Sequence, residues 1–206
     1  MSTIFLALSL LFLAQAVPVQ AAGLIEKVQE TYRKTNSFRA NFVQTTFVEV
    51  LDREVRSQGE IIFEKPSRFL IHYSDGQERK FISDGKTLWV VYPEEKEVEV
   101  YENLEGVMAN EALIFLGGLG TMTQEFLVKE TSGTQLELTP KDQKALFKKV
   151  LLTIDPTTSL VRATTLFPRN GNKSRYLFSD VQTNKSVSKK NFQWKESDYK
   201  VLHPLK

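Results

Sequence analysis

From Phe38 the chain alternates apolar and polar positions with a period of two, Phe38, Ala40 and Phe42 against Arg39 and Asn41, which predicts a half-buried β-strand. Ahead of it, Leu24, Val28 and Tyr32 recur one helical turn apart, with Glu26, Lys27, Glu30 and Lys34 elsewhere. That spacing predicts an amphipathic helix over 23–33. Thr45, Thr46, Phe47 and Val48 continue as β-formers. Because Phe47 stands on the opposite parity from Phe42, a register shift is expected near Thr45. Further strands are predicted at 57–64, 67–74, 80–83, 87–92 and 97–101, then at 126–130, 135–139, 147–154, 160–166, 174–180 and 191–195.

Turn chemistry separates these runs. Asp75-Gly76 and Asp84-Gly85 predict two-residue hairpin turns, and Lys65-Pro66 predicts a corner at a bend or an edge. The segment 104–122 interrupts the meander with a weakly charged, mostly apolar helical pattern that ends in Gly117, Gly118 and Gly120. Eleven or twelve strands are too many for a small flat sheet to stay open without strong curvature. Several strands are apolar on both parities: Phe69, Ile71 and Tyr73 with Leu70, and Leu88, Val90 and Tyr92 with Trp89 and Val91. Such strands are either covered on both faces or line an apolar hollow on one. An apolar, glycine-flanked helix inserted in the meander suits a hinged cover.

Composition narrows the classes. With 206 residues and 27 Lys plus Arg against 25 Asp plus Glu, the chain fits one domain and has no basic tract for nucleic acid. Ile4 to Val19 carries no charge and leads into Val19-Gln20-Ala21, the pattern of a secretory signal cleaved after residue 21. A single domain over 22–206 is expected to follow. There is no Cys, so export brings no disulfides, and the chain has no thiol through which to carry a lipid anchor of its own. The two His, His72 and His203, are far apart, and no nucleophile, metal, nucleotide or calcium motif occurs. His72 is expected to be structural or on the surface, and Asp84 and Asp155 to serve turns. No cofactor, metal or catalytic residue is assigned.

The run from Gly59 to Pro93, with Lys65-Pro66 and above all Ser83-Asp84-Gly85-Lys86-Thr87-Leu88-Trp89, resembles the LolA family of periplasmic outer-membrane lipoprotein carriers. So do Ser37 to Gln44 and Ile154-Asp155-Pro156 through Phe178. The resemblance implies a mainly β fold with helices: an incomplete, unclosed antiparallel β-barrel of about 11 strands with an α-helical lid over an apolar cavity. It implies a monomeric, non-enzymatic carrier in the periplasm. The cargo would be outer-membrane-directed lipoproteins, taken from an inner-membrane ABC transporter and passed to an outer-membrane receptor. On this reading Phe38, Phe42, Phe63, Phe69 and Ile71 are wall candidates for the acyl-chain cavity, with Leu113 and Leu116 from the lid; each could equally be plain core. Lys65 stands where many members of the family have an Arg that latches the lid, a point donor in place of a fork. The end of the chain, from Phe192 to Lys206, lacks the family's usual proline-containing finish. The alternatives are a lipid- or lipoprotein-sensing module of an envelope-stress regulator and, from another class, a periplasmic hydrolase.

Overall fold

The structure, a computed structural model, describes residues 23–75, 78–102, 119–195 and 197–203. The proposed signal segment and residues 104–118 of the expected lid, and with them Leu113 and Leu116, lie outside the described residues. Helix α1, Leu24–Lys34, buries Val28 and Tyr32 on the stripe that the sequence predicts. Glu26 in its first turn and Arg33 and Lys34 in its last complement the helix dipole. A four-residue helix, α2, spans Met122–Glu125.

Among the described residues, twelve strands form one sheet. They are β1 Ser37–Val48, β2 Arg53–Glu64, β3 Arg68–Tyr73, β4 Arg79–Ser83, β5 Leu88–Tyr92, β6 Glu97–Tyr101, β7 Phe126–Ser132, β8 Gln135–Pro140, β9 Phe147–Ile154, β10 Val161–Pro168, β11 Lys173–Thr183 and β12 Lys200–Leu202. Their order is β12-β6-β5-β4-β3-β2-β1-β11-β10-β9-β8-β7. Two meanders are therefore joined where β11 returns beside β1, and the sheet stays unclosed between β7 and β12. All neighbours are antiparallel except β12, which runs parallel to β6. One continuous apolar cluster takes residues from α1, from β1 to β5 and from β8 to β10, so the sheet curls around the helix rather than lying flat.

Several local expectations need correction. The β1–β2 ladder runs without a break from Ser37↔Glu64 to Val48↔Arg53, so no register shift occurs at Thr45. The irregularity lies on the other side of β1, against β11, between Arg39 and Asn41. Phe47 simply faces outward. Strand β2 starts at Arg53, earlier than expected, because Glu54 and Arg56 pair with Phe47 and Thr45 across the hairpin. The hairpin turns on a 3-10 turn at Glu49–Leu51 and on Asp52, which adopts φ 45°.

The Asp84-Gly85 pair does not make a two-residue turn. The β4–β5 connection has four residues, with the Asp84 carboxylate accepting from the Lys86 and Thr87 amides at 2.8 and 2.9 Å and Gly85 at φ 97°. The β3–β4 connection runs from Ser74 to Glu78; there the Asp75 side chain accepts from the Gln58 amide at 2.7 Å, and Gly76 is outside the described residues. Asp155 serves its turn as expected, accepting from the Thr157 and Thr158 amides at 2.9 Å each.

The strand expected at 191–195 does not form. Lys189–Phe192 is a 3-10 turn, and the chain beyond it lies across the outer face of the sheet before pairing as β12. Trp194 and Tyr199, in edge contact at 5.5 Å, cover Ile82, Val91 and Val98 together with Leu70, Trp89 and Val100. Phe192 is buried beside them, under the Arg68 guanidinium at 5.8 Å. The second apolar parity of β3 to β6 is thus a covered outer face.

Candidate functional site: the concave face

Antiparallel partners share a face of a sheet, so the register aligns three rows across the concave side of β1 to β6. The first is Phe42–Gly59–Tyr73–Arg79, continued by Tyr92–Glu97. The second is Ala40–Ile61–Ile71–Phe81–Val90–Glu99, and the third Phe38–Phe63–Phe69–Ser83–Leu88–Tyr101. Five expected wall residues, Phe38, Phe42, Phe63, Phe69 and Ile71, fall together on β1, β2 and β3, all buried in the same apolar cluster as α1. Phe42 meets Tyr73 edge-on at 5.1 Å and Tyr176 at 6.0 Å, and Phe38 meets Phe178 at 6.2 Å.

Gly59 makes this packing possible. A Cβ there would stand 2.0 Å from the His72 carbonyl oxygen and 2.9 Å from the tip of the Phe42 ring. The facing half of the sheet supplies Leu136, Leu138, Val150, Leu152 and Ile154, all buried.

Helix α1 is tied down at its C-terminal end. The Lys65 ammonium donates to the carbonyls of Tyr32 at 2.7 Å and Arg33 at 3.0 Å, two of the acceptors that a helix end leaves without intrahelical partners. Asn184 donates to the Lys34 carbonyl at 3.1 Å. The Val161 amide of β10 donates to the Tyr32 hydroxyl at 3.2 Å, and burial of that phenol pushes its pKa far up. Desolvation lowers the Lys65 pKa from its ordinary value. Lys65 therefore grips the helix over the concave face, through carbonyls that belong to α1. Midway along α1, Gln29 reaches Thr123 at 3.2 Å and the Gly120 carbonyl at 3.4 Å.

Toward β6 the three rows turn polar, a feature that sequence reasoning missed because it depends on register. Glu99 accepts from the Tyr101 hydroxyl at 2.7 Å and from that of Tyr92 at 3.5 Å. Burial, and then the bond to Glu99, push the Tyr101 phenol up to about 12. Arg79 lies over the rings of Phe81 at 4.9 Å and Tyr73 at 5.5 Å. His72 faces the other side, half-buried and 2.8 Å from Glu78. Among the described residues no three His, Cys, Asp or Glu side chains group as a metal site, and no helix is long and apolar enough to cross a membrane.

Comparison with known proteins agrees with this architecture. An outer-membrane lipoprotein carrier protein of Legionella pneumophila (strain Corby) is 28% identical over 200 residues, 95% of each chain. One from Nitrosomonas europaea is 24% identical over 182 residues, 86% of this chain and 87% of that one. In fold, an uncharacterized conserved protein from Thermus thermophilus superposes with a TM-score of 0.54 at 10% identity, over 88% of this chain and 97% of that one. The family model described as outer membrane lipoprotein carrier protein LolA matches residues 33–195. Those residues hold all twelve strands but the last, and the chain belongs to the LolA family of lipoprotein carriers.

Proposed function

We propose that this chain carries lipoproteins across the periplasm as a monomer, taking them from an inner-membrane ABC transporter and delivering them to an outer-membrane receptor. The observation that supports this best is the set of three cross-strand rows on one concave face, apolar over β1 to β3 and roofed by a helix that polar contacts hold at one end. Each methylene buried from water contributes about 0.8 kcal/mol, so acyl chains cross an aqueous space only when shielded. Phe38, Phe42, Phe63, Phe69 and Ile71 form the wall that the chains meet once the roof lifts. Lys65 is the latch. Two bonds to main-chain carbonyls are weak enough to break on loading, and no nucleotide is needed at this step, since the donor complex supplies the energy. Residues 1–21 act as the export signal, and N-terminal sequencing of the exported protein should read from Ala22.

The test is gel filtration of the protein with a diacylated lipopeptide in detergent-free buffer, with the same peptide lacking acyl chains as the control. Co-elution at one lipopeptide per protein, absent for the control, supports the reading. Equal behaviour of the two peptides refutes it.

A further inference from the structure

The polar end of the concave face has a distinctive composition. Arg79 follows Tyr73 across the β3–β4 ladder, and its neighbour Phe81 packs into the inner cluster, so Arg79 belongs to the concave side. It is half-buried, lies over two rings and acts electrostatically on the Tyr92 phenol, and among the described residues no carboxylate or carbonyl takes up its N–H groups. The two rings stand at 68° to each other, so they do not both lie flat on the planar guanidinium, but a ring takes no conventional hydrogen bond, and the N–H donors stay open to a carbonyl acceptor. On the same face Tyr92 follows it across β5, and the Tyr92 and Tyr101 hydroxyls both turn to Glu99; Glu97, next in the Arg79 row, pairs with Lys200 at 2.9 Å.

Resting on the carrier reading above, we infer that this corner binds the uncharged polar neck of the cargo, the ester and amide carbonyls that join acyl chains to a peptide. Three properties argue for that chemistry. The apolar rows end here, and an amphiphile laid along them has to change from hydrocarbon to polar atoms where they end. Arg79 offers donors to neutral carbonyl oxygens, which lack donors of their own. Glu97 and Glu99, in the adjoining positions of the same face, repel a phosphate, which sets a lipopeptide neck apart from a phospholipid head.

Arg79→Met keeps the apolar stem over the rings and removes the donors. Titration against a fluorescent diacylglyceryl lipopeptide, against a hydrocarbon probe of equal chain length without ester groups, and against a lysophosphatidylglycerol tests the assignment. The variant should bind the lipopeptide about 10- to 100-fold more weakly, with hydrocarbon binding within about twofold, and Arg79→Lys should fall between. Unchanged lipopeptide binding, or an equal loss for lipopeptide and hydrocarbon, overturns the neck site while leaving the carrier reading intact. Tight lysophosphatidylglycerol binding that depends on Arg79 overturns it in favour of a phosphate site. If the unaltered protein binds neither the lipopeptide nor the hydrocarbon probe, the carrier reading itself fails, and the neck site with it.

Discussion

Replacing Lys65 with Met removes the two ammonium-to-carbonyl hydrogen bonds at the end of α1 and keeps most of the apolar stem. The two carbonyls fare differently. Tyr32 still accepts from the Thr35 amide at 3.3 Å, whereas the Arg33 carbonyl, in an exposed setting, passes to water. The loss is therefore less than that of two buried charged bonds, and the desolvation that already lowers the Lys65 pKa offsets part of it. Charge-assisted bonds contribute about 1.5–3 kcal/mol and a cation at a helix C-terminus about 0.3–1 kcal/mol, which brackets the net loss at about 1–2 kcal/mol. At that size, opening of α1 becomes about 5- to 30-fold more frequent. If the loss falls on global unfolding, Tm drops by about 2–8 °C. Hydrogen exchange of the α1 amides reads the first outcome, together with binding of a fluorescent dye to newly exposed apolar surface; calorimetry reads the second. Lys65→Arg should preserve protection. If Lys65→Met leaves α1 exchange, dye binding and Tm all at wild-type values, Lys65 does not hold the helix and the latch argument is wrong.

Gly59→Ala would place a methyl 2.0 Å from the His72 carbonyl oxygen, and chemical denaturation should show a loss of more than about 2 kcal/mol. Phe192→Ala empties a buried site against β3 and β4 and should cost about 3–5 kcal/mol in the same assay, with lipopeptide affinity unchanged because the concave face is untouched. Tyr101 has its folded pKa raised from 10.0 to about 12. The unfolded chain thus releases that proton first, and the contribution of Tyr101 to stability is full below pH 10 and lost as pH rises toward 12. Tyr101→Phe should flatten the alkaline limb of a Tm-against-pH curve between those values, and an unchanged limb would place its cause elsewhere.

Much of the framework was legible because it is written in short periods. Val28 and Tyr32 on one helical stripe, and Phe38, Ala40 and Phe42 on one strand face, name their buried sides without any partner in view. The wall candidates could be grouped for the same reason, since each lies on the inner parity of its strand. What escaped depended on pairing. Phe47 suggested a slip in β1, but its ladder with β2 is continuous and the irregularity faces β11, 139 residues away along the chain for the Asn41–Asp180 contact. Leu70, Trp89 and Val91 announced a second buried face, and their cover, Trp194 and Tyr199, lay in a tail whose aromatic spacing from Phe192 to Trp194 imitates a strand. The polar corner was invisible for a related reason: Arg79, Tyr92 and Glu97 fall into one row, beside Glu99, only once β4, β5 and β6 are in register.

The most direct test of the account is release of a labelled outer-membrane lipoprotein from energised spheroplasts into the soluble fraction. The purified chain from Ala22 onward should yield a one-to-one soluble complex. No release, while a known carrier works in parallel, would contradict it.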